Sequence, residues 1–207
     1  MAQPDFDARA STWDDDPKKR ARAASVAAAL RRRIDLSRRP RALEYGAGTG
    51  LLTFEIEGDL AEAVLADSST GMLAVADRKI AAGGLVHLST LAIDLMTDPP
   101  PARKFDLIYS MMTLHHVPDT AAILRIFHDL LTPGGAIAIA DLDAEDGSFH
   151  GDNTGVLHRG FDRTGIRSYF EQAGLTAVRD TTAAVVTKEV EGKGRREFPV
   201  FLVMGKK

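Results

Sequence analysis

The sequence contains no cysteine. Disulfides, thiolate nucleophiles, cysteine-ligated zinc and iron–sulfur clusters are thereby excluded. Any nucleophilic or metal chemistry falls to oxygen and nitrogen donors. Aromatic residues are scarce, at 6% of 207, with one Trp and three Tyr. Long apolar runs are also missing, so no transmembrane helix is expected. The opening MAQPDFDARA has neither a basic n-region nor an apolar h-region, so no secretory signal is expected and a soluble cytoplasmic protein is the expectation. What is present is ordinary for a globular chain: 44% hydrophobic and 27% charged residues, with a net charge of −3. The length suits one domain with a sizeable core.

The charge is unevenly spread. Lys18, Lys19, Arg20, Arg22, Arg31, Arg32, Arg33, Arg38, Arg39 and Arg41 crowd one N-terminal stretch. Within it Val26, Leu30 and Ile34 recur four apart, one apolar face of a helix. With Pro17 early and Asp14 to Asp16 before it, the spacing predicts a basic amphipathic helix from about Pro17 to Ile34. From Arg41 on, strands alternate with helices. Strands are expected near Ala42–Tyr45, Ala63–Ala66, Val86–Leu88, Phe105–Ser110 and Ala136–Ala140, then 177–188 and 198–203 around a Gly-Lys-Gly turn at 192–194. Helices are expected near Leu51–Glu57, Thr70–Ala82, after Pro118-Asp119, and after Asp162 as N-cap with Gly174 as its C′ residue. This order specifies an α/β sheet covered on both faces, its last two strands antiparallel to each other. An N-terminal helical extension over 1–40 precedes a domain over 41–207.

The sharpest local signal is Glu44-Tyr45-Gly46-Ala47-Gly48-Thr49-Gly50, where the first strand turns into the first helix of the sheet. Ligands of open α/β sheets bind at that edge, and glycine lets the backbone pass beneath them. The spacing is GxGxG; the dinucleotide fingerprint GxGxxG would need glycine where Leu51 stands. Glu44 beside the loop suits a cationic ligand better than a pyrophosphate. Asp67 ends the second strand, where a carboxylate can accept ribose hydroxyls, and Asp94 in AIDL follows the third, in reach of an adenine amino group. Each acid alone can equally be a helix N-cap. Together they describe a nucleoside with a cationic tail.

With these pieces, and with FDLIYSMMTLHHV and LTPGG, the sequence resembles the class I S-adenosylmethionine-dependent methyltransferases over about Leu43 to Leu175. FDARASTWDDD also resembles the entry segment of small-molecule members related to the ubiquinone/menaquinone C-methyltransferase group. The resemblance implies a Rossmann-like seven-stranded, mostly parallel sheet with an antiparallel last strand. It implies that Gly46, Ala47 and Gly48 underlie the cofactor's methionine part, with Glu44 holding its ammonium directly or through water. By the same resemblance Asp67 takes the ribose, Ser68 and Met72 flank the adenosine, Asp94 and Leu95 meet the adenine, and the Ser110 backbone faces the methionine end. The segment Ser110-Met111-Met112-Thr113 departs from the Asn-Pro-Pro-Tyr pattern of many amino-group methyltransferases. Without cysteine, covalent adducts on pyrimidine carbon are excluded.

Methyl transfer from a sulfonium is an in-line displacement that rests on alignment, and a base is needed only if the acceptor must lose a proton. Histidine suits that task near neutral pH. His158 and His150, in the long loop after the fifth strand, are the first candidates, with loop-fixing hydrogen bonds as the alternative. His115 is the third catalytic candidate and borders the cofactor or substrate pocket in this reading, and His116 is structural. Asp141, Asp143, Glu145 and Asp146 near His150 could suit a hard metal, but acid-rich loops are usually just solvated, and no metal site is expected. Phe6 and Trp13 either close over the pocket as a lid or staple the extension to the sheet.

The expected function is methylation of a small molecule, without a membrane or nucleic-acid partner. Two other readings stand beside it. An NAD-dependent oxidoreductase would use the same sheet, against Leu51 and Glu44. An RNA-binding protein or RNA methyltransferase would use the basic helix, against the net negative charge and the absence of aromatics among its arginines.

Overall fold

A computed structural model describes residues 5–207. Residues 1–4, the start of the expected extension, lie outside the described residues. The chain runs α1 (Phe6–Arg9), a 3-10 turn (Ala10–Asp15), α2 (Pro17–Arg33), β1 (Arg41–Tyr45), α3 (Leu51–Ile56), β2 (Glu62–Asp67), α4 (Thr70–Gly83), β3 (Leu88–Ala92) and β4 (Phe105–Met111). It continues with α5 (Thr120–Leu130), β5 (Leu131–Leu142), α6 (Arg163–Gln172), β6 (Thr176–Val190) and β7 (Gly194–Lys206).

The local chemistry that sets these bounds is readable. Asp16 caps α2 by accepting from the Lys18 amide, Ser69 caps α4 at Met72, Asp119 caps α5 at Ala122 and Asp162 caps α6 at Gly165. Gly84 and Gly174, at φ +62° and +88°, end α4 and α6 in the left-handed conformation that glycine adopts without a Cβ penalty.

The seven strands are ordered β3-β2-β1-β4-β5-β7-β6. Every neighbour pair is parallel except those made by β7, which is antiparallel to both β5 and β6. This is the Rossmann-like sheet with one antiparallel strand that the sequence specifies. One core layer joins α2, α3 and α4 to one face, with Val26, Leu30, Leu52, Ile56 and Ala76 buried there. The other joins α5 and α6 to the opposite face through Ile123, Phe127, Ile166 and Phe170. The C-terminal ends of β1, β2, β4 and β5 therefore open onto one edge between two covered faces.

Two boundaries differ from expectation. The third strand is not Val86–Leu88: it begins at Leu88, pairs with β2 from Ala63, and reaches Ala92. Val86 is 96% exposed because the turn after Gly84 delays the chain, with the Val86 amide donating to the Gly84 carbonyl and Leu88 to Leu85. The fifth strand starts at Leu131 rather than Ala136, since a bulge against Phe105 and Leu107 absorbs Pro133-Gly134-Gly135.

Candidate active site

The β1–α3 turn is a cradle built from backbone. Gly46 and Gly48 sit at φ +66° and +55°. A Cβ on Gly46 would lie 2.1 Å from Thr113 Cγ2, so that glycine lets β4's following segment close against the loop. A Cβ on Gly48 would meet only Met72 Sδ, at 4.0 Å, so its glycine keeps open space that a ligand can fill. Ala47 anchors the loop by donating to the Ala66 carbonyl at 3.0 Å.

Asp67 stands at the end of β2 beside this space. Its Oδ2 accepts from the Gly48 amide at 2.7 Å and its Oδ1 from the Ser69 amide at 2.8 Å. Those bonds use about two of the roughly four lone-pair sites of a carboxylate. Burial raises the Asp67 pKa, against the lowering by the Ser69, Gly48 and Ser68 amides. Ser68 is exposed at the rim, and Met72 is buried under it.

Asp94 is half-buried after β3, with Oδ1 accepting from the Met96 amide at 2.9 Å and lying 3.5 Å from the Tyr45 hydroxyl. Leu95 is the next residue along the chain. It is 2% exposed and packs into the core, leaving its backbone at this edge. Ser110 is buried too, its hydroxyl donating to the Tyr45 carbonyl at 2.7 Å.

Glu44 is 2% exposed. Its Oε2 accepts from the Thr53 amide at 3.2 Å and from the Thr53 hydroxyl, which also lies 2.5 Å from the Tyr109 hydroxyl. Burial pushes its carboxyl up to about 8, in spite of the Thr53 hydrogen bonds. The acid is thus turned beneath the loop, onto the first turn of α3, rather than projecting past it.

The second half of the edge is a histidine cluster. His115 and Asp141 are 1% and 0% exposed, with His115 Nδ1 2.7 Å from Asp141 Oδ1. The His115 amide also donates to Asp141 Oδ2 at 3.2 Å. Burial raises the Asp141 pKa, but His115 and the amides of Leu142 and His115 outweigh it and hold the carboxyl below its ordinary value. An ionised carboxylate only accepts, so Nδ1 carries the proton of this bond. His150 stacks beside this pair, ring centroids 5.1 Å apart. Burial and the neighbouring His115 and His116 push its pKa down to about 4, and its Nε2 is buried without a partner. His150 is therefore a neutral imidazole at pH 7.

His158 is engaged in the loop through one ring nitrogen, which leaves Nδ1 as the nitrogen with a lone pair. Its Nε2 donates to the Val117 carbonyl at 2.9 Å and its amide to the His115 carbonyl at 3.1 Å, so it braces the loop. His116 braces the same loop through Nδ1 and the Gly155 carbonyl at 2.8 Å. The loop's acids are likewise committed. Asp143 pairs with Arg163, Asp146 with Lys193, and Glu145 accepts from the Phe149 amide. Among the described residues no group of three or more His, Asp or Glu is arranged to hold a metal ion.

The N-terminal segment spans both halves. Asp7 Oδ1 accepts from Ser69 Oγ at 2.5 Å and from the Gly71 amide at 2.8 Å. Asp14 accepts from Thr49 Oγ1 at 2.5 Å and pairs with Lys79 at 2.9 Å. Phe6 stacks edge-on against Trp13 at 6.0 Å and against His116 at 5.5 Å.

Three participants escape the sequence reading. Asp141 was one acid among many in its loop, yet β4 and β5 are adjacent and pair as far as Met111 and Ala140. Residues just past those two ends must meet, and that adjacency was the available signal. Arg22 counts among the charges that crowd the basic helix, yet it falls four before Val26 and eight before Leu30, on the buried stripe. Lys188 alternates with Val186 and Val190, on the inward side of β6.

Comparison with known proteins gives one family model, described as a methyltransferase domain, which matches residues 18–180. The ubiquinone/menaquinone biosynthesis C-methyltransferase UbiE of a Shewanella is 34% identical over 105 residues, 49% of this chain and 42% of that protein. The chain spans about half the length of the curated relatives it matches. A putative methyltransferase of Haloferax volcanii, solved with the Trm112 methyltransferase activator, superposes with a TM-score of 0.77 at 18% identity, covering 100% of this chain and 99% of that one. Phosphoethanolamine N-methyltransferase 2 of Haemonchus contortus, solved with S-adenosyl-L-methionine, gives 0.65 at 16% identity, over 81% of this chain and 48% of that one.

Proposed function

We propose that this chain, which belongs to the methyltransferase-domain family, is an S-adenosylmethionine-dependent methyltransferase acting on a small-molecule acceptor. The carrying observation is the pairing of Gly48 with Asp67: a backbone cradle with open space above it, edged by a carboxylate that still has lone pairs to offer. When bound, S-adenosylmethionine supplies a methyl group on a cationic sulfonium.

In this reading Gly46, Ala47 and Gly48 underlie the methionine end, and Glu44, its carboxyl raised to about 8 by burial, ionises beneath it when the cationic end binds. Asp67, with Ser68 and Met72, holds the ribose. Asp94 and the Leu95 backbone border the adenine, and the Ser110 backbone borders the methionine end. Asp141 fixes His115 with Nδ1 protonated, so that Nε2 takes the acceptor's proton, and His150 stands beside it as a neutral second acceptor. Of an extension over 1–40, the described residues from Asp5 on lie against the edge of a cofactor-binding domain over 41–207. The small-molecule reading draws on UbiE and on the phosphoethanolamine enzyme, whose names place a methyl group on carbon and on nitrogen respectively. The basic run has partners within the chain: Arg31 on Asp59, Arg41 on Asp106 and Arg39 on the Leu60 carbonyl. No helix among the described residues is long and apolar enough to cross a membrane.

Calorimetric titration of the full chain with S-adenosylhomocysteine and with NAD tests the reading. Binding of the first and not the second is expected. Binding of NAD alone, or of neither, overturns it.

A further inference from the structure

Two cations that methyl transfer does not require stand on inward faces. Arg22 projects from the stripe of α2 that buries Val26 and Leu30, and Lys188 from the side of β6 that buries Val186. Because α2 packs on β6, the two cations lie close enough for the Arg22 charge to bear on Lys188. The Arg22 Nε is buried without a hydrogen-bond partner. No carboxylate among the described residues forms an ion pair with its guanidinium; those of α2 that do pair, such as Arg31, lie elsewhere on the helix. Lys188 Nζ donates to the Phe149 carbonyl at 2.5 Å and lies 4.4 Å over the Phe149 ring. An ammonium has three donors, so two remain. His150, next to Phe149, stacks on the His115 ring, its own Nε2 buried and unpartnered.

The acids nearby offset this pair only in part: Asp141 and Asp16 raise the Arg22 pKa, and Asp16 and Glu145 raise that of Lys188, but each is otherwise engaged. Asp141 is held by His115, Asp16 caps α2 on the Lys18 amide, and Glu145 accepts from the Phe149 amide, with its other oxygen buried and unpartnered. Burial lowers the pKa of both cations, and the Arg22 charge lowers that of Lys188 further. Half-buried like charges with an orphaned N–H between elements are unfavourable unless an anion completes them.

We propose that Arg22 and Lys188 form a carboxylate seat in the acceptor pocket, so that the methyl acceptor is a small molecule bearing a carboxylate, held with its reacting group toward His115 and His150. The inference rests on the methyltransferase reading. A planar guanidinium with free N–H groups matches a carboxylate, and the lysine adds a second charge-assisted bond. The cofactor's own carboxylate is the other source of the same chemistry. Lys188 argues against it, because it lies with Phe149 and His150 on the histidine side of the edge, not at the glycine loop.

The test titrates benzoate, benzamide and phenyl phosphate into the full chain, with and without saturating S-adenosylhomocysteine, following heat and the Arg22 Nε–H resonance. Benzoate is expected to shift that resonance and to bind about tenfold or more tighter than its neutral isostere. Arg22→Gln and Lys188→Gln are each expected to abolish that preference, with S-adenosylhomocysteine affinity and the circular dichroism spectrum unchanged. Equal or absent binding of benzoate and benzamide overturns the proposal. So does an Arg22→Gln protein that loses S-adenosylhomocysteine affinity while still preferring benzoate, which would assign the arginine to the cofactor. Tighter binding of phenyl phosphate than benzoate overturns the carboxylate assignment. A chain that prefers benzoate but never binds S-adenosylhomocysteine keeps the seat and loses the methyltransferase reading; the reverse result keeps the reading and loses the seat.

Discussion

Replacing Glu44 with Gln isolates the most costly group in the site. The carboxyl is buried and its pKa stands at about 8, against an ordinary value of 4.5. The folded protein therefore keeps a proton that the unfolded chain releases as pH rises above 4.5. Stability is full below that value and is lost progressively until about pH 8. At 1.36 kcal/mol per unit, the loss is about 3 kcal/mol at pH 7 and about 5 kcal/mol above pH 8. Glutamine cannot ionise but keeps the carbonyl oxygen that accepts from Thr53. Its new amide protons cost about 1–3 kcal/mol if left unpaired, equally at every pH. The informative quantity is thus the pH dependence of the difference between the two proteins. Urea denaturation followed by far-UV circular dichroism at pH 4.5, 5.5, 7 and 8 should show the variant gaining about 3 kcal/mol on the wild type between the first and third points. A difference that stays flat would refute the buried-acid account. A functional counterpart follows if Glu44 faces the cationic end of the cofactor. Binding then requires the ionised form, so wild-type affinity for S-adenosylhomocysteine falls by up to about tenfold per unit below pH 8. That dependence should vanish in Glu44→Gln.

The remaining predictions address the two halves of the edge. Asp67→Asn puts an amide where the Gly48 and Ser69 amides donate; S-adenosylhomocysteine affinity should fall about ten- to hundredfold by calorimetry. Gly48→Ala should fold with a loss of about 1–2 kcal/mol from its positive φ, yet bind S-adenosylhomocysteine poorly because the new Cβ enters the open cradle. Gly46→Ala adds a collision with Thr113 to the same strain and should lose about 3 kcal/mol in urea melts. Asp141→Asn removes the charge that fixes the His115 tautomer; turnover should drop about hundredfold or more, with S-adenosylhomocysteine affinity unchanged. Single-turnover assays with an identified acceptor, beside calorimetry, would separate the two.

The parts of this molecule that could be read from sequence are those whose cause is local. The Asp16, Asp119 and Asp162 caps, the Gly174 stop and the glycine turn after β1 each follow from backbone chemistry within a few residues. The third strand was misplaced because the apolar Val86 looked like a strand residue, while the Gly84 turn that exposes it acts on backbone hydrogen bonds. The histidines show the limit more sharply. His158 and His150 share a loop and looked equivalent, but the Val117 carbonyl takes the Nε2 of one and leaves that of the other free. That carbonyl belongs to a segment 41 residues away. Asp141 and His115 are 26 residues apart and meet only because β4 and β5 pair side by side. Arg22 argues in the opposite direction. Its position on the buried stripe of α2 was legible from spacing alone, and an arginine there costs stability unless something pairs with it. Charge counted over a segment concealed that; charge placed on a helical face reveals it. The same placement separates Arg31, which finds Asp59 on the surface, from Arg22, which turns inward and buries its Nε without a protein partner.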